Sequence, residues 1–237
     1  MICAQQELWT FLVPRRRRTR FTAAYDGDAS LGHVVQALGI PLTETGDLTV
    51  DGAPTDPSER PDPGSVIGIG AVRRPQDTSR AAGFLLDVHL GSLARRLRLL
   101  GVDTAYANDA EDAALVEQAG RERRILLTQD RGLLMRRALW GGAFVRGHGA
   151  DAQLADVLDR FAPPLAPWTR CGACNGELVA VPKEEVLDRL EPGTRRRYER
   201  FARCTSCGRV YWHGAHGHRL DAVVDTALRT VAGRARG

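Results

Sequence analysis

The sequence lacks the features of a membrane or exported protein. No apolar run reaches the length that spans a bilayer, and the first residues do not show the charged-then-apolar order of a signal peptide. We therefore expect a soluble cytoplasmic protein with no membrane partner. With 237 residues, of which 43% are hydrophobic, the chain is long enough for one to three domains that each have a core.

Lysine is almost missing from the chain, so its positive charge rests on arginine. Lys183 is the one lysine among 33 basic residues, and the formal net charge is +4. Arginines cluster locally within residues 15–18, 95–98, 121–124 and 195–197. Because a guanidinium group can bind a phosphate through two parallel hydrogen bonds, these clusters favour a nucleic-acid partner. A solvated basic surface explains any single cluster equally well.

Cysteine is scarce, and its spacing is informative. Four of the five cysteines form two Cys-x-x-Cys pairs, Cys171 with Cys174 and Cys204 with Cys207. In a reducing compartment such pairs indicate a metal rather than disulfides, and two pairs supply the four thiolates of a structural zinc site. A redox dithiol would need only one pair. Cys3 lies outside the pattern and is given no role.

The order of elements in residues 1–74 predicts a β-grasp domain. Strands are predicted at residues 8–13, 20–25, 48–50 and 66–69, and a helix at 29–39. This order resembles the ubiquitin-like domains related to small sulfur carriers, which end in a free Gly-Gly. Here the chain continues through residues 71–75, so we do not expect carrier chemistry and favour a binding or spacer role. Residues 75–82 are predicted to be a linker.

From residue 84 the pattern alternates between short apolar runs and helical periodicity. Strands are predicted at 84–87, 102–107, 125–128 and 143–146, with helices at 90–100, 111–119, 133–139 and 153–161. Strands that alternate with helices of this length imply a parallel sheet with right-handed crossovers. In such sheets, ligands bind beyond the carboxyl ends of the strands.

Acidic residues follow three of these predicted strands. They are Asp87 after the first, Asp109, Glu111 and Asp112 after the second, and Asp130 after the third. Carboxylates that converge on one rim repel each other unless a cation is bound, and hard oxygen ligands suit Mg²⁺ or Mn²⁺. Such a metal can activate water against a phosphodiester. The alternative is that each acid caps the start of a helix.

Residues 84–227 resemble the Mut7-C family, a PIN-like nuclease domain joined to a zinc ribbon. The likeness rests on three stretches, 87–104, 111–115 and 124–131. In the third stretch, Gln129 stands where the family usually has arginine, which removes one possible phosphate contact. A ubiquitin-like domain in front of such a module is a known arrangement, so the resemblance covers nearly the whole chain.

This resemblance implies catalytic residues. Asp87, Asp112 and Asp130 match the acids of PIN-like nucleases, which hold a catalytic Mg²⁺ or Mn²⁺. Asp109 replaces Asp112 if the second motif is aligned differently. A fourth acid is not clear, and Asp151 is a candidate that also suits a helix cap.

Basic and aromatic residues are predicted to contact RNA. The candidates are Arg95, Arg98, Arg131, Tyr211, Trp212 and His216. Arginines suit phosphates, and aromatic rings suit stacking on bases. The pattern Tyr-Trp-x-Gly-x-His at 211–216 also resembles the family's ribbon. The alternative is that Tyr211 and Trp212 cover the small ribbon core.

Together these interpretations predict an α/β protein of three domains. They are a ubiquitin-like β-grasp domain at 1–74, a PIN-like parallel α/β nuclease domain at 83–164, and a zinc ribbon with a C-terminal helix at 165–237. The predicted activity is metal-dependent hydrolysis of RNA, with a structured or tRNA-like substrate and a possible protein partner for the ubiquitin-like domain. A non-catalytic RNA-binding or adaptor protein is the main alternative, and a sulfur-transfer partner is a weaker one.

Overall fold

A computed structural model of the protein describes residues 1–212 and 217–234. The chain forms two compact units, and each unit is built from two separate stretches. Unit 1 comprises Met1–Gln76 and Glu111–Phe144, and unit 2 comprises Asp77–Ala110 and Val145–Gly237. Within the described residues, no helix is both long enough and apolar enough to cross a membrane.

The structure contains strands and helices in both units. The strands are β1 (Ile2–Ala4), β2 (Arg20–Phe21), β3 (Thr45–Val50), β4 (Ala53–Pro54), β5 (Ile67–Ala71), β6 (Gly83–Leu86), β7 (Thr104–Tyr106), β8 (Arg124–Thr128), β9 (Gly142–Phe144), β10 (Leu178–Val181), β11 (Phe201–Cys204) and β12 (Val210–Trp212). The α-helices are α1 (Leu31–Ala37), α2 (Gly91–Leu99), α3 (Asp112–Glu122), α4 (Arg131–Leu134), α5 (Ala150–Phe161), α6 (Pro192–Arg197) and α7 (Gly217–Arg234).

The first stretch of unit 1 is a five-stranded mixed sheet in the order β2-β1-β5-β3-β4. Strand β1 is parallel to β5, and the other neighbours are antiparallel. Ser30 caps helix α1, because its Oγ accepts a hydrogen bond from the His33 amide. The apolar face of α1 enters the core with Leu31, Val34 and Val35. This arrangement confirms the predicted ubiquitin-like β-grasp fold.

The prediction of a strand at residues 8–13 is wrong. The first strand is β1, and residues 8–13 instead form turns that begin with a 3₁₀ helix at Gln6–Leu8. Leu8, Phe11 and Leu12 are all fully buried, a spacing that belongs to a helical turn rather than to an alternating strand. The apolar run therefore covers the sheet instead of pairing within it.

The second stretch of unit 1 contains β8 and β9, which pair in parallel. It packs directly on the β-grasp stretch. The rings of Phe11 and Phe144 meet edge to face with centroids 5.2 Å apart, and the Phe144 amide donates a hydrogen bond of 2.8 Å to Glu44 Oε1. Glu44 is 1% exposed, so this contact is part of the interior of unit 1.

Unit 2 contains the parallel pair β6 and β7, in which Phe84 lies opposite Thr104. Helix α2 buries Leu93, Ala94 and Leu97 and packs against α5, which in turn packs against α7. Phe84 also meets Phe161 of α5, with ring centroids 5.1 Å apart. The parallel strand pairs in both units agree with the predicted α/β class.

The ribbon in unit 2 is a three-stranded antiparallel sheet in the order β10-β11-β12. Its small core contains Val186, Leu190 and Phe201. Such a core buries little apolar surface, so the ribbon needs a further source of stability. The domain limits predicted from the sequence stay a prediction. By compactness, residues 111–144 group with the N-terminal stretch.

Candidate zinc and nuclease sites

Four cysteine thiols meet at one end of the ribbon. We call residues 171–174 the first knuckle and residues 204–207 the second knuckle. All four Sγ atoms lie within 4.8 Å of one another, with Cys171 and Cys207 at 3.7 Å and Cys174 and Cys204 at 3.4 Å. Four sulfurs around zinc at about 2.3 Å stand about 3.8 Å apart in a tetrahedron. The cysteines therefore fit a four-coordinate structural zinc, as their spacing predicted.

The two knuckles end in the same kind of local turn. The amide of Asn175 donates to the Cys171 carbonyl at 2.9 Å, and the amide of Gly208 donates to the Cys204 carbonyl at 3.0 Å. Asn175 and Gly208 both have φ of +70°, a conformation that asparagine and glycine tolerate better than other residues. The residue after each Cys-x-x-Cys pair thus has the type that the turn requires.

Tyr211 belongs to the cysteine centre. Its hydroxyl lies 2.9 Å from Cys171 Sγ. Burial opposes ionisation of Cys171, but this hydrogen bond and the amides of Ala173 and Cys174 outweigh it and lower its pKa to about 6. Burial and the Cys171 sulfur raise the pKa of Tyr211.

The environment of Cys174 acts in the opposite direction. The Gly176 amide favours its thiolate, but burial and the three neighbouring sulfurs raise its pKa to about 12. Crowded thiols resist ionising together, and a bound cation removes that repulsion. The centre therefore has the electrostatic character of a metal site.

Arg98 connects the first knuckle to helix α2 and strand β7. Its Nε donates to the Thr104 carbonyl at 2.9 Å, and its Nη1 donates to the carbonyls of Ala173 at 2.9 Å and Gly172 at 3.3 Å. The residue is 3% exposed, and this burial lowers its pKa. The sequence assigned Arg98 to RNA, but the structure places its guanidinium inside unit 2, where it holds backbone carbonyls.

A second polar bridge joins the ribbon to the same strand. Asn175 accepts a hydrogen bond of 3.0 Å from the Thr104 amide and donates one of 3.0 Å to Asp103. Asp103 also forms an ion pair of 3.0 Å with Arg170. The cysteine centre is thus attached to β7 by two side chains, Arg98 of α2 and Asn175 after the first knuckle. Cysteine spacing alone did not indicate this attachment.

Asp87 and Asp109 are the candidate acids in unit 2. Asp87 follows β6, is 6% exposed, and accepts a hydrogen bond of 2.6 Å from the Val88 amide. The Tyr106 hydroxyl donates to the Val88 carbonyl at 2.9 Å, which fixes the turn after Asp87. Gly91 is needed beside this turn, because a Cβ there would lie 2.6 Å from the Tyr106 hydroxyl. Asp109 is exposed in the loop after β7.

Asp112 and Asp130 are the candidate acids in unit 1. Asp112 is the first residue of α3, and its carboxylate lies 3.2 Å from the Arg136 guanidinium. Asp130 is exposed and caps α4 by accepting a hydrogen bond of 2.7 Å from the Gly132 amide. Both the metal hypothesis and the capping alternative are compatible with this geometry, because a carboxylate accepts several hydrogen bonds or ligands at once.

Arg131 has partners in the β-grasp stretch of its own unit. Its guanidinium donates to the carbonyls of Thr10 and Phe11 and lies over the Phe11 ring, 5.4 Å from its centroid. The residue next to Asp130 is therefore anchored by the ubiquitin-like stretch. No local sequence pattern indicated this contact, since its partners lie about 120 positions earlier.

The remaining candidate residues are spread over unit 2. Arg95 is exposed on α2. Asp151, the possible fourth acid, forms an ion pair of 2.8 Å with Arg96. Trp212 is exposed at the end of β12, with its ring centroid 6.5 Å from that of Phe201. The predicted RNA contact of His216 lies outside the described residues.

The fold and the cysteine centre define a class, an α/β protein with parallel strand pairs, a four-cysteine ribbon and an N-terminal β-grasp sheet. Two family models match the chain. The model described as the Mut7-C RNAse domain matches residues 82–224, and the model described as Mut7-C ubiquitin matches residues 1–77. The chain therefore belongs to the Mut7-C family, as its motifs predicted, and carries an RNase-type domain. No curated protein and no solved structure matched it.

Proposed function

We propose that the protein is a cytoplasmic, metal-dependent ribonuclease that hydrolyses RNA phosphodiester bonds. The observation that carries this proposal is the match of residues 82–224 to the Mut7-C RNAse domain. Within that range, Asp87 directly follows β6 and Asp130 lies two residues after β8. These are positions beyond the carboxyl ends of strands, where α/β proteins bind ligands.

The proposed metal ligands are Asp87, Asp112 and Asp130, with Asp109 as the substitute for Asp112. Carboxylate oxygens are the donors that Mg²⁺ and Mn²⁺ prefer, so the residue types fit. A metal bound there would lower the pKa of a bound water and neutralise charge on the phosphate. Arg136 contributes by orienting the Asp112 carboxylate, 3.2 Å away. The hydrogen bonds at Asp87 and Asp130 fix those two carboxylates in the same way.

The proposal includes the partners expected from the sequence. The substrate would be a structured or tRNA-like RNA, and the ubiquitin-like domain would bind a protein partner. Exposed arginines such as Arg95 would neutralise phosphates, so affinity should fall as the salt concentration rises. We assign no RNA contact to Arg98, because its guanidinium is buried.

The decisive experiment compares wild type with Asp87→Asn in an RNA cleavage assay with added Mg²⁺ or Mn²⁺. Asparagine keeps the size of the side chain and can still accept the Val88 hydrogen bond, so the fold should persist while the charge is lost. We expect cleavage to disappear and RNA binding to remain. Asp51→Asn, in the turn between β3 and β4, serves as the control and should cleave like wild type.

Two outcomes would contradict the proposal. Cleavage that survives Asp87→Asn in highly purified protein would show that the activity lies elsewhere or comes from a contaminant. A wild-type protein that binds RNA but cleaves none with either metal would favour the non-catalytic RNA-binding alternative.

A further inference from the structure

A groove runs along one side of unit 2, between helix α2 and the ribbon. It consists of two adjoining cavities of 700 and 520 Å³. The cavities share the lining residues Arg95, Gly172 and Tyr211, so a ligand can pass from one to the other. Both lie wholly within unit 2.

The larger cavity has an apolar and aromatic lining. Leu99, Leu178 and Val223 supply aliphatic surface, and Trp168 stands at the rim with 37% of its surface exposed. Among the described residues of its lining, the one carboxylate is Asp151, which is neutralised by the ion pair with Arg96. The cavity thus offers flat and apolar surface to a ligand rather than a net negative charge.

Trp168 is held in an unusual backbone conformation. Its φ of +66° lies in the left-handed region, which a bulky side chain rarely adopts. Its amide donates to the Leu99 carbonyl at 3.0 Å, and the Ala166 amide donates to the Leu100 carbonyl at 2.9 Å, so the end of α2 fixes this segment. An exposed indole kept in a strained position is typical of a binding residue.

The smaller cavity is basic. Arg95, Arg98 and Arg209 line it, and none of the described residues in its lining is an aspartate or a glutamate. Arg95 and Arg209 are exposed, whereas Arg98 is buried and donates to backbone carbonyls. The floor of the cavity includes Cys174 and Cys207 of the zinc centre.

The smaller cavity also reaches the turn after Asp87. Gly91 and Tyr106 line it, and the Tyr106 hydroxyl donates to the carbonyl of Val88, the residue next to Asp87. A chain that follows the groove from Trp168 past Arg95 would therefore arrive at the turn that follows Asp87, a candidate catalytic residue. A compact ligand would not need a groove of this extent.

We propose that this groove binds a single-stranded segment of RNA. A base stacks on Trp168 in the apolar cavity, and phosphates contact Arg95 and Arg209 in the basic cavity. Single strands present the faces of their bases for stacking, whereas a duplex keeps them paired. The inference rests on the proposed function and deepens it, because it gives the RNA a single-stranded end or loop that leads to Asp87.

The test measures binding without cleavage, by fluorescence anisotropy of the full zinc-loaded chain carrying Asp87→Asn. The probe is a labelled single-stranded oligoribonucleotide of about twelve nucleotides, compared with the same strand in a duplex and with adenosine monophosphate. Trp168→Leu tests stacking, with Trp140→Leu as its control, since Trp140 is similarly exposed in unit 1. Arg95→Met and Arg209→Met test the phosphate contacts, with Arg121→Met of α3 as their control.

We expect Trp168→Leu to weaken binding of the single strand about 5- to 100-fold, the range of one stacked base. Arg95→Met and Arg209→Met should each weaken binding and reduce the dependence of log Kd on log salt by about one unit. The controls should bind like the parent, and the duplex and the mononucleotide should bind more weakly than the single strand.

Several results would overturn the inference. They are equal binding by Trp168→Leu and Trp140→Leu, binding of the duplex as tight as that of the single strand, or arginine variants that lose zinc instead of RNA affinity. The groove and the nuclease can also fail separately. If the groove variants lose RNA affinity but the wild-type protein cleaves no RNA with either metal, only the proposed catalysis is refuted. If the wild type cleaves RNA and the groove substitutions change neither RNA binding nor cleavage, only the proposed binding of RNA in the groove is refuted.

Discussion

Replacing Arg98 with methionine should weaken unit 2 and its zinc centre together. The change leaves three carbonyl oxygens without the guanidinium donor that they have now, those of Thr104, Gly172 and Ala173. A hydrogen bond to a charged group contributes about 1.5–3 kcal/mol, but the buried charge also carries a desolvation cost that disappears with it. We therefore expect the free energy of unfolding to fall by about 2–4 kcal/mol.

The zinc affinity should fall for the same reason. Two of the three carbonyls belong to the first knuckle, so Arg98 positions the backbone between two zinc ligands. Loss of an outer contact of this kind typically reduces metal affinity about 10- to 100-fold. Competition with a chromogenic chelator measures this affinity, and denaturant unfolding with saturating zinc measures the stability.

Arg95→Met provides the matched control on the same helix. Arg95 is exposed, so its replacement should change both quantities little. If Arg98→Met and Arg95→Met have the same stability and the same zinc affinity, the bridge from α2 to the knuckle contributes nothing and the reasoning is refuted.

Three further predictions concern the zinc centre and unit 1. Cys204→Ser should reduce the zinc content from one per chain, measured by elemental analysis; full retention would exclude four-cysteine coordination. Gly176→Ala should lower zinc affinity because its Cβ would lie 2.9 Å from Cys204 Sγ, whereas Gly172→Ala, with no atom within 4 Å, should not. Phe11→Ala should lower the unfolding free energy of unit 1 by about 3–5 kcal/mol in denaturant titrations, and the exposed Val13→Ala should be nearly neutral; equal effects would mean that the Phe11 contacts are weak.

The features that sequence predicted well are those set by local chemistry. The cysteines of each Cys-x-x-Cys pair are three positions apart, and the order of elements in the β-grasp stretch follows from apolar runs and turn residues. The strand proposed at 8–13 failed because composition was given more weight than period. Leu8, Phe11 and Leu12 recur at helical spacing, and the structure buries all three.

Two of the three arginines assigned to RNA, Arg98 and Arg131, have partners within the protein that the sequence prediction did not include. Arg98 lies four residues after the buried Ala94, so the helical period already placed it beside the buried stripe of α2. The positive charge of arginine nevertheless favoured the prediction of an exposed RNA contact. Arg131 had no comparable signal, because its partners Thr10 and Phe11 are brought to it only by the tertiary fold. Whether the candidate acids act together stays a prediction.

The composition of unit 1 has a consequence for biosynthesis. Glu44 is made 100 residues before Phe144, the residue whose amide donates to its buried carboxylate. The ribosome must therefore deliver all of residues 77–110, which belong to unit 2, before the surface that covers Phe11 exists. A nascent chain that stops at residue 110 contains every strand of the β-grasp sheet and helix α1, but not Phe144, which packs against their core. The packing of the ubiquitin-like stretch around Phe11 and Glu44 is thus completed only after the middle of the chain has emerged.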